Sequence, residues 1–264
     1  FEWIVYSEPE YHFENILKKI KANQNDIGKF DYVIGLSYKD ASLVEKIQNK
    51  LHIKGSCDDL VATTSKWRNL DLTDASLTFT EAIENKTKGA ESVLIIARRV
   101  LDHCADIVKL LKSLSKIDKK ITIYSEFNDY ANEIFMGNSS FIWNERTFYP
   151  FPSQIGLIMK EAGLYIQEVK TCSSNDNSLI YSIASNTITN NNPIIRSNYN
   201  EEQLRLKLYE MLHVQSNFWT KTLTEGKTCV IGASHKGVSF TQIFSTCLMS
   251  NKIIIHHPKL HPLQ

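Results

Sequence analysis

The stretch Ser92–Ser125 decides the fold class. It begins with SVLIIA at Ser92–Ala97, continues through an amphipathic segment at Ala105–Ser115, and ends with KITIYS at Lys120–Ser125. Both end segments are rich in β-branched and apolar residues, and the middle segment repeats its apolar residues at helical spacing. A strand, a helix and a second strand in this order form a βαβ unit, which predicts a parallel sheet.

Further elements extend this unit in both directions. Towards the N-terminus, DYVIGL at Asp31–Leu36 predicts a buried strand between helices at Tyr11–Ala22 and Ala41–Leu51. Towards the C-terminus, a helix at Ser153–Ala162 precedes two strands, and the polar segment CSSNDN joins these two strands at Leu164–Thr171 and Ser178–Ala184. Because this connection is too short for a crossover, the two strands are predicted to pair antiparallel.

The pattern predicts three parts of the chain: a main domain at residues 1–185, an Asn-rich linker at 186–200, and a small α/β unit at 201–264. The last part begins with a long amphipathic helix at Glu201–Thr224. Strands at Lys227–Gly232 and Lys252–His256 follow, with a helix at Val238–Met249 between them. Two strands cannot cover their own faces, so we expect a second chain to contribute: a homodimer or a subunit of a complex.

Composition excludes several classes of protein. The 264 residues include 30 Lys and Arg against 29 Asp and Glu, so the net charge of +1 does not favour binding to nucleic acid through its phosphates. The longest apolar runs are far below the roughly 20 residues that span a bilayer, so no membrane association is expected. Five scattered cysteines, none in a C-x-x-C pair, predict neither disulfides nor a zinc site. We expect a cytoplasmic protein that holds no metal.

Three local motifs give the sequence a resemblance to a known family. Residues 97–103, ARRVLDH, resemble the R-H-V-L-E-H stretch that follows the fourth strand of class I S-adenosylmethionine (SAM) methyltransferases. Residues 144–149, NERTFY, resemble the E-H-x-x-Y-F segment of the nucleotide-sugar C-methyltransferases, and the loop GASHKG at 232–237 resembles one in their C-terminal domain. The resemblance implies an α/β, Rossmann-like sheet that ends in an antiparallel hairpin. It also implies methylation of a ring carbon beside the ketone of a nucleotide-linked 4-keto sugar.

The resemblance assigns the cofactor SAM to a loop at the end of the first strand. The family's E-I-G-S-N-D-G-S-L appears here as VIGLSYKDASL at residues 33–43, so Gly35, Ser37 and Asp40 are implied as the floor of the pocket. Asp58 is the implied partner of the ribose hydroxyls, and Ala97 with Arg98 forms the adenine side. By this analogy, Gly35→Val removes cofactor binding because its branches meet the cofactor.

The same resemblance names residues for the chemistry. His103, which opens a helix after Ser92–Ala97, is similar to the family's active-site histidine. Glu145 and Arg146 stand where the family has a Glu-His pair, and Arg cannot act as the base because it has no acceptor at neutral pH. The implied catalytic residues are His103, Glu145 and Arg146: Glu145 orients a sugar hydroxyl or serves as a substitute base, and Arg146 binds a phosphate or an enolate oxygen. An alternative is that Glu145 and Arg146 form a solvated ion pair.

Two further residues are implied as contacts of the small-molecule substrate. Tyr149 lies in the NERTFY segment, and Lys236 lies in the GASHKG loop. The resemblance puts this loop near the diphosphate of the sugar, although a plain strand-to-helix turn explains the same pattern. His256, His257 and His261 have no acidic neighbour and are not predicted to bind metal.

The sequence departs from the family in ways that leave a second function open. It lacks the family's N-terminal zinc-binding cysteine domain, and its C-terminal part is short. The favoured function is SAM-dependent C-methylation of a nucleotide-linked sugar. The alternative is a catalytically inactive homologue that acts as a binding or assembly subunit, and a third option is O- or N-methylation of another small molecule.

Overall fold

A computed structural model describes residues 10–57, 80–104, 106–137, 141–142, 148–174, 177–188, 193–225, 229–231 and 254–256. The chain divides into two compact units, one comprising Phe1–Asp129 and Thr147–Asn198 and the other Tyr130–Arg146 and Tyr199–Gln264. The domain boundaries predicted from sequence remain a prediction.

Seven strands form the sheet of the first unit: β1 Tyr32–Gly35, β2 Lys54–Cys57, β3 Ser92–Arg98, β4 Lys120–Asn128, β5 Tyr165–Ser174, β6 Asn177–Ser185 and β7 Ile194–Arg196. Their order is β2-β1-β3-β4-β6-β5-β7. Only β6 runs antiparallel to its neighbours β4 and β5, and the other pairs are parallel. The predicted α/β sheet with an antiparallel terminal hairpin is confirmed.

Helices cover both faces of this sheet: α1 Phe13–Ile27, α2 Ala41–Leu51, α3 at residues 80–86, α4 Ile107–Ser115 and α6 Pro152–Glu161. One core joins α1 and α2 to the sheet through residues such as Ile16, Val33 and Leu94. The other core joins α4 and α6 to the opposite face through Leu111, Ile95 and Met159. Because β3 lies between the two cores, all seven of its residues are buried, which explains its uninterrupted apolar run.

Two elements are longer than the sequence pattern predicts. Helix α1 continues from the predicted end at Ala22 to Ile27, where Gly28 with φ +90° stops it. Strand β4 continues past Ser125 to Asn128, because Glu126 is buried in the strand instead of ending it. The short strand β7 lies within the segment predicted to be a linker, and it pairs with β5.

The second unit contains helices α5 Ala131–Phe135 and α7 Glu201–Glu225. The amide of Gln215 in α7 donates to the carbonyl of Gly137, 2.9 Å away. Strands β8 Cys229–Ile231 and β9 Ile254–His256 pair in parallel, at the positions predicted for two parallel strands. The predicted helix Val238–Met249 lies outside the described residues.

Candidate cofactor and active site

Asp40 fixes the loop that follows β1. Its Oδ2 accepts the backbone N–H groups of Leu36 and Ser37 at 2.8 and 2.7 Å, and its Oδ1 accepts the N–H of Arg98 at 2.7 Å. A 3₁₀ turn at Tyr38–Asp40 brings this carboxyl group back onto the loop. The fully buried Asp40 therefore joins the end of β1 to the end of β3.

Burial raises the pKa of Asp40 to about 7, although three backbone donors and the charge of Arg98 lower it in part. Of the predicted cofactor residues, Gly35, Ser37, Asp40, Ala97 and Arg98 all lie at this edge of the sheet.

Gly35 is enclosed by atoms of the protein itself. A Cβ at this position would lie 2.8 Å from both Asp40 Cβ and Cys57 Sγ, which is closer than such atoms approach. The thiol of Cys57 also donates to the carbonyl of Ser37 at 3.1 Å. A side chain at Gly35 would therefore disturb the loop directly, whatever the loop binds.

A buried ion cluster, composed of His12, Arg98, Tyr124 and Glu126, lies beneath this loop on the α1 face. Glu126 accepts hydrogen bonds from Arg98 Nε at 2.9 Å and from the Tyr124 hydroxyl at 2.7 Å, and it lies 2.7 Å from His12 Nε2. The same guanidinium donates to the carbonyl of Lys39 at 2.7 Å. All four side chains of the cluster are fully buried, so the Arg98 side chain is held by the protein.

The cluster fixes the ionisation of its acid and its phenol. Burial alone would raise the pKa of Glu126, but the hydrogen bond from His12 and the charge of Arg98 outweigh it and lower that pKa. Burial, followed by the charge of Glu126, raises the pKa of Tyr124 well above its usual value. Glu126 is therefore a carboxylate at neutral pH, and Tyr124 a neutral donor.

Lys39 crosses the edge of the sheet. Its ammonium group donates to the carbonyl of Arg99 at 3.3 Å, so the side chain reaches from the loop after β1 to the end of β3. Arg99 itself has a φ of +49°, a left-handed conformation that is uncommon for residues other than glycine. Such strained positions concentrate at functional sites, and this one directly follows the central strand.

His103 lies in a 3₁₀ turn at Leu101–His103, which Val100 separates from Arg99. Its Nε2 is 3.9 Å from Oδ1 of the buried Asp102, and a quarter of its side chain is exposed. The carbonyl of Asp102 accepts the backbone N–H of Phe148 at 3.3 Å, so the segment that carries the half-buried Tyr149 lies beside this turn. The structure therefore places the segments that carry two predicted site residues, His103 and Tyr149, next to each other.

Four predicted site residues, Asp58, Glu145, Arg146 and Lys236, lie outside the described residues. Conversely, the sequence interpretation did not identify Lys39, His12 and Glu126 as part of this region. Glu126 gives a usable signal, because a lone acid in an apolar strand of a parallel sheet is rarely buried without a partner.

Among the residues that the structure describes, no group of three or more His, Cys, Asp or Glu side chains could hold a metal ion. Within the same residues, no helix is long and apolar enough to cross a membrane.

No protein-family model and no curated protein matches this sequence. Solved structures with a similar fold include magnesium protoporphyrin IX methyltransferase from Synechocystis PCC 6803, with 11% identity over 66% of this chain and 82% of that chain and a TM-score of 0.39. A SAM-dependent methyltransferase from Archaeoglobus fulgidus has 11% identity over 66% of this chain and 94% of its own, with a TM-score of 0.40. Mitomycin 7-O-methyltransferase has 16% identity over 66% of this chain and 53% of its own, with a TM-score of 0.40.

Identities of 11–16% and TM-scores of 0.39–0.40 give no information about the cofactor or substrate of this chain. The strand order and the single antiparallel strand are observed in this chain itself. The first unit therefore has a Rossmann-like α/β fold, with helices on both faces of a mostly parallel sheet and one antiparallel strand.

Proposed function

We propose that this protein is a SAM-dependent methyltransferase that acts on a small molecule, with the cofactor at the carboxyl ends of β1 and β3. The observation that carries the proposal is the strand order, in which the antiparallel strand β6 lies between β4 and β5. Parallel α/β sheets bind their ligands at this edge, and here it carries the Asp40-tied loop and the strained Arg99.

The residues at this edge suit the groups of SAM. The Lys39 ammonium group crosses the edge and suits the methionine carboxylate. The hydroxyl of Ser37 suits the amino group. The sequence resemblance assigns the ribose hydroxyls to Asp58, which lies outside the described residues. Asp40 holds the loop in shape, because its oxygens already accept hydrogen bonds from the backbone. When bound, SAM supplies an electrophilic methyl group.

The proposed acceptor is a nucleotide-linked 4-keto sugar, methylated on the carbon beside its ketone. His103 takes the proton from this carbon, and the electron pair left behind makes the carbon a nucleophile. Oδ1 of the buried Asp102 lies 3.9 Å from Nε2 of His103, within ion-pair distance of the ring. By the sequence resemblance alone, Arg146 is assigned to the enolate oxygen, Glu145 to a sugar hydroxyl or the role of a substitute base, and Tyr149 and Lys236 to the substrate. Glu145, Arg146 and Lys236 lie outside the described residues.

A second candidate is a homologue that keeps the fold without binding SAM and acts as a binding or assembly subunit. One observation favours it: Lys39 lies across the edge where the cofactor would bind, and it is hydrogen-bonded to Arg99. In this candidate the lysine occupies the site in place of a ligand.

Calorimetric titration with SAM and S-adenosylhomocysteine separates the two candidates. We expect both compounds to bind the wild-type chain and to bind Lys39→Ala more weakly, because the variant lacks the partner of the carboxylate. Lys50→Ala, at an exposed position at the end of α2, is the matched control and should bind like the wild type. If Lys39→Ala is the one protein of the three that binds SAM, the second candidate is supported. If neither the wild type nor either variant binds SAM, methyl transfer is excluded.

A further inference from the structure

A groove of about 300 Å³ lies on the α1 face of the first unit, between α1 and strands β5 and β6. We call it the α1 groove and define it by His12, Lys18 and Lys19 from α1, Lys170 and Cys172 from β5, and Tyr181 from β6. Its volume is at the lower end of the range for small-molecule sites. It differs from the cofactor edge in its residues, since it includes neither the Gly35 loop nor the end of β3.

The charges of the α1 groove are positive and only partly neutralised. Lys19 pairs with Glu168, with 2.7 Å between its Nζ and Oε1. Lys18 and Lys170 also line the groove, and neither makes a hydrogen bond or an ion pair within the part of the chain that the structure describes. Two ammonium groups therefore remain to attract an anion.

The floor of the groove combines an aromatic ring with a buried polar atom. The Tyr181 ring is stacked near Tyr124, and the Lys19 ammonium lies 5.9 Å from its centroid. His12 is fully buried, and Glu126 engages its Nε2. Its Nδ1 has no hydrogen-bond partner among the described residues. A buried polar atom without a partner is costly, so a ligand that reaches His12 would gain from pairing with it.

We propose that the α1 groove binds a small aromatic organic anion, with its charged group between Lys18 and Lys170 and its ring against Tyr181. Two ammonium groups attract the anion, and the aromatic wall recognises a flat apolar body. Strand alternation supports this geometry, because Lys170 and Cys172 lie on the same face of β5, towards α1. The proposal does not depend on methyl transfer.

The test uses 2-naphthoate as the probe, with 2-naphthamide as its uncharged analogue and inorganic phosphate as an anion without a ring. Affinity is measured by calorimetry on the full chain. We expect naphthoate to bind and both comparison compounds to bind at least about fivefold more weakly, which corresponds to about 1 kcal/mol. If naphthamide binds as tightly as naphthoate, the charge plays no role and the proposal is overturned. If phosphate binds as tightly as naphthoate, the ring plays no role and the proposal is overturned as well.

Cys172 reports where the probe binds. Its thiol is half-buried in the groove, and among the described cysteines the half-buried Cys57 lies at the end of β2. Bound naphthoate should slow alkylation of Cys172 by iodoacetamide and leave Cys57 unchanged, as measured peptide by peptide in a mass spectrometer. The proposal is wrong if naphthoate binds and Cys172 reacts at its original rate.

Matched variants test the two lysines. The double substitution Lys18→Gln with Lys170→Gln should weaken naphthoate about fivefold or more, because both charges are lost. Lys21→Gln, on the exposed side of the same helix, changes net charge and helix composition but not the groove, so its affinity should equal that of the wild type. An equal loss in Lys21→Gln, or none in the double variant, would contradict the proposal.

Discussion

Glu126 shows how much can depend on one carboxylate. It carries the only negative charge of the buried ion cluster, against the guanidinium of Arg98, and it also accepts from Tyr124. Removing one partner of a buried ion pair leaves a charge in a medium that cannot solvate it, at a cost of about 3–5 kcal/mol.

We therefore predict that Glu126→Gln lowers the free energy of unfolding by about 3–5 kcal/mol, measured by urea denaturation. The control is Glu161→Gln, because Glu161 is mostly exposed and its Oε1 forms a loose surface ion pair with Lys112 Nζ, 3.7 Å away. An exposed pair of this kind contributes at most about 1 kcal/mol. Equal losses in the two variants would show that the cluster does not depend on its charge.

Asp40 predicts a dependence of stability on pH. Its pKa is raised from 3.8 to about 7 by burial, so the folded protein holds a proton that the unfolded chain releases. This contribution is complete below about pH 4, is lost as the pH rises to 7, and does not change further above that. Its slope reaches about 1.4 kcal/mol per pH unit. Urea denaturation from pH 4 to 8, compared with Asp40→Asn, measures it, and an NMR titration of the carboxyl carbon checks the pKa directly.

His103 provides the test of the proposed base. General acid–base groups contribute about 10²–10⁴-fold to the rate, so His103→Ala should lower turnover by that factor with SAM affinity unchanged. Exchange of solvent deuterium at the carbon beside the ketone measures the proton step alone. Arg146→His restores the residue of the resembled family and should raise this exchange. If neither substitution alters the exchange, another group is the base.

At this scale, the sequence predicts positions better than contacts. Gly35, Ser37 and Asp40 are identifiable because they follow a strand of a parallel sheet. The bonding of Asp40 to Arg98 is not, because the two residues are 58 positions apart, and His12 and Glu126 are 114 apart. No local pattern specifies a partner at such a separation.

At the scale of helices and strands, the periodicity of apolar residues predicts where an element lies but not the residue at which it ends. Helix α2 occupies Ala41–Leu51 as predicted, since its apolar residues continue to its last turn. Helix α1 ends five residues later than predicted, because the sequence after Ala22 is mostly polar and carries no apolar repeat to signal its continuation. Strand β7 has only three residues, all exposed, so it is too short for a periodic pattern to predict it.

Two glycines allow a prediction about packing between elements. A Cβ at Gly156 in α6 would lie 2.8 Å from Ile195 Cδ1, the flexible end of an exposed side chain, which can move away. Gly156→Ala should therefore leave stability unchanged or raise it by up to about 1 kcal/mol, through helix propensity. A Cβ at Gly55 in β2 would lie 2.5 Å from the carbonyl oxygen of Val33 in β1, which cannot move freely.

Gly55→Ala is thus the contrasting variant, and it should lower stability by at least about 1–3 kcal/mol, as overpacking does. Thermal unfolding followed by circular dichroism compares the two. If Gly156→Ala is as destabilising as Gly55→Ala, then β7 is held against α6 more rigidly than its exposure indicates.

At the scale of the whole molecule, we expect self-association through the second unit. Four apolar residues of α7 have 60–72% of their surface exposed: Leu206, Tyr209, Val214 and Phe218. Light scattering at micromolar concentration should give twice the chain mass of 30.3 kDa. Tyr209→Ser with Val214→Ser should restore the monomer mass, since contiguous exposed apolar surface drives association. A wild-type monomer would contradict self-association. Any complex would then have to form with a different protein.

The overall topology was predictable because short connections restrict it. The hairpin of β5 and β6 follows from a connection too short for a crossover, and the parallel pairing of β3 with β4 follows from the helix between them. The strand order was predictable only through the resemblance, because β6 inserts between β4 and β5 by contacts that are distant in sequence.

Strand β7 also has a consequence for the order in which the chain is made. It pairs with Glu168–Lys170 at the outer edge of β5, whose backbone groups there would otherwise be open to other chains. Ile194 follows Ser174 by 20 residues. At roughly 5–20 residues per second, the ribosome therefore delivers the open edge about one to four seconds before its cover. During each round of translation, this interval is when neighbouring nascent chains on one messenger can pair wrongly.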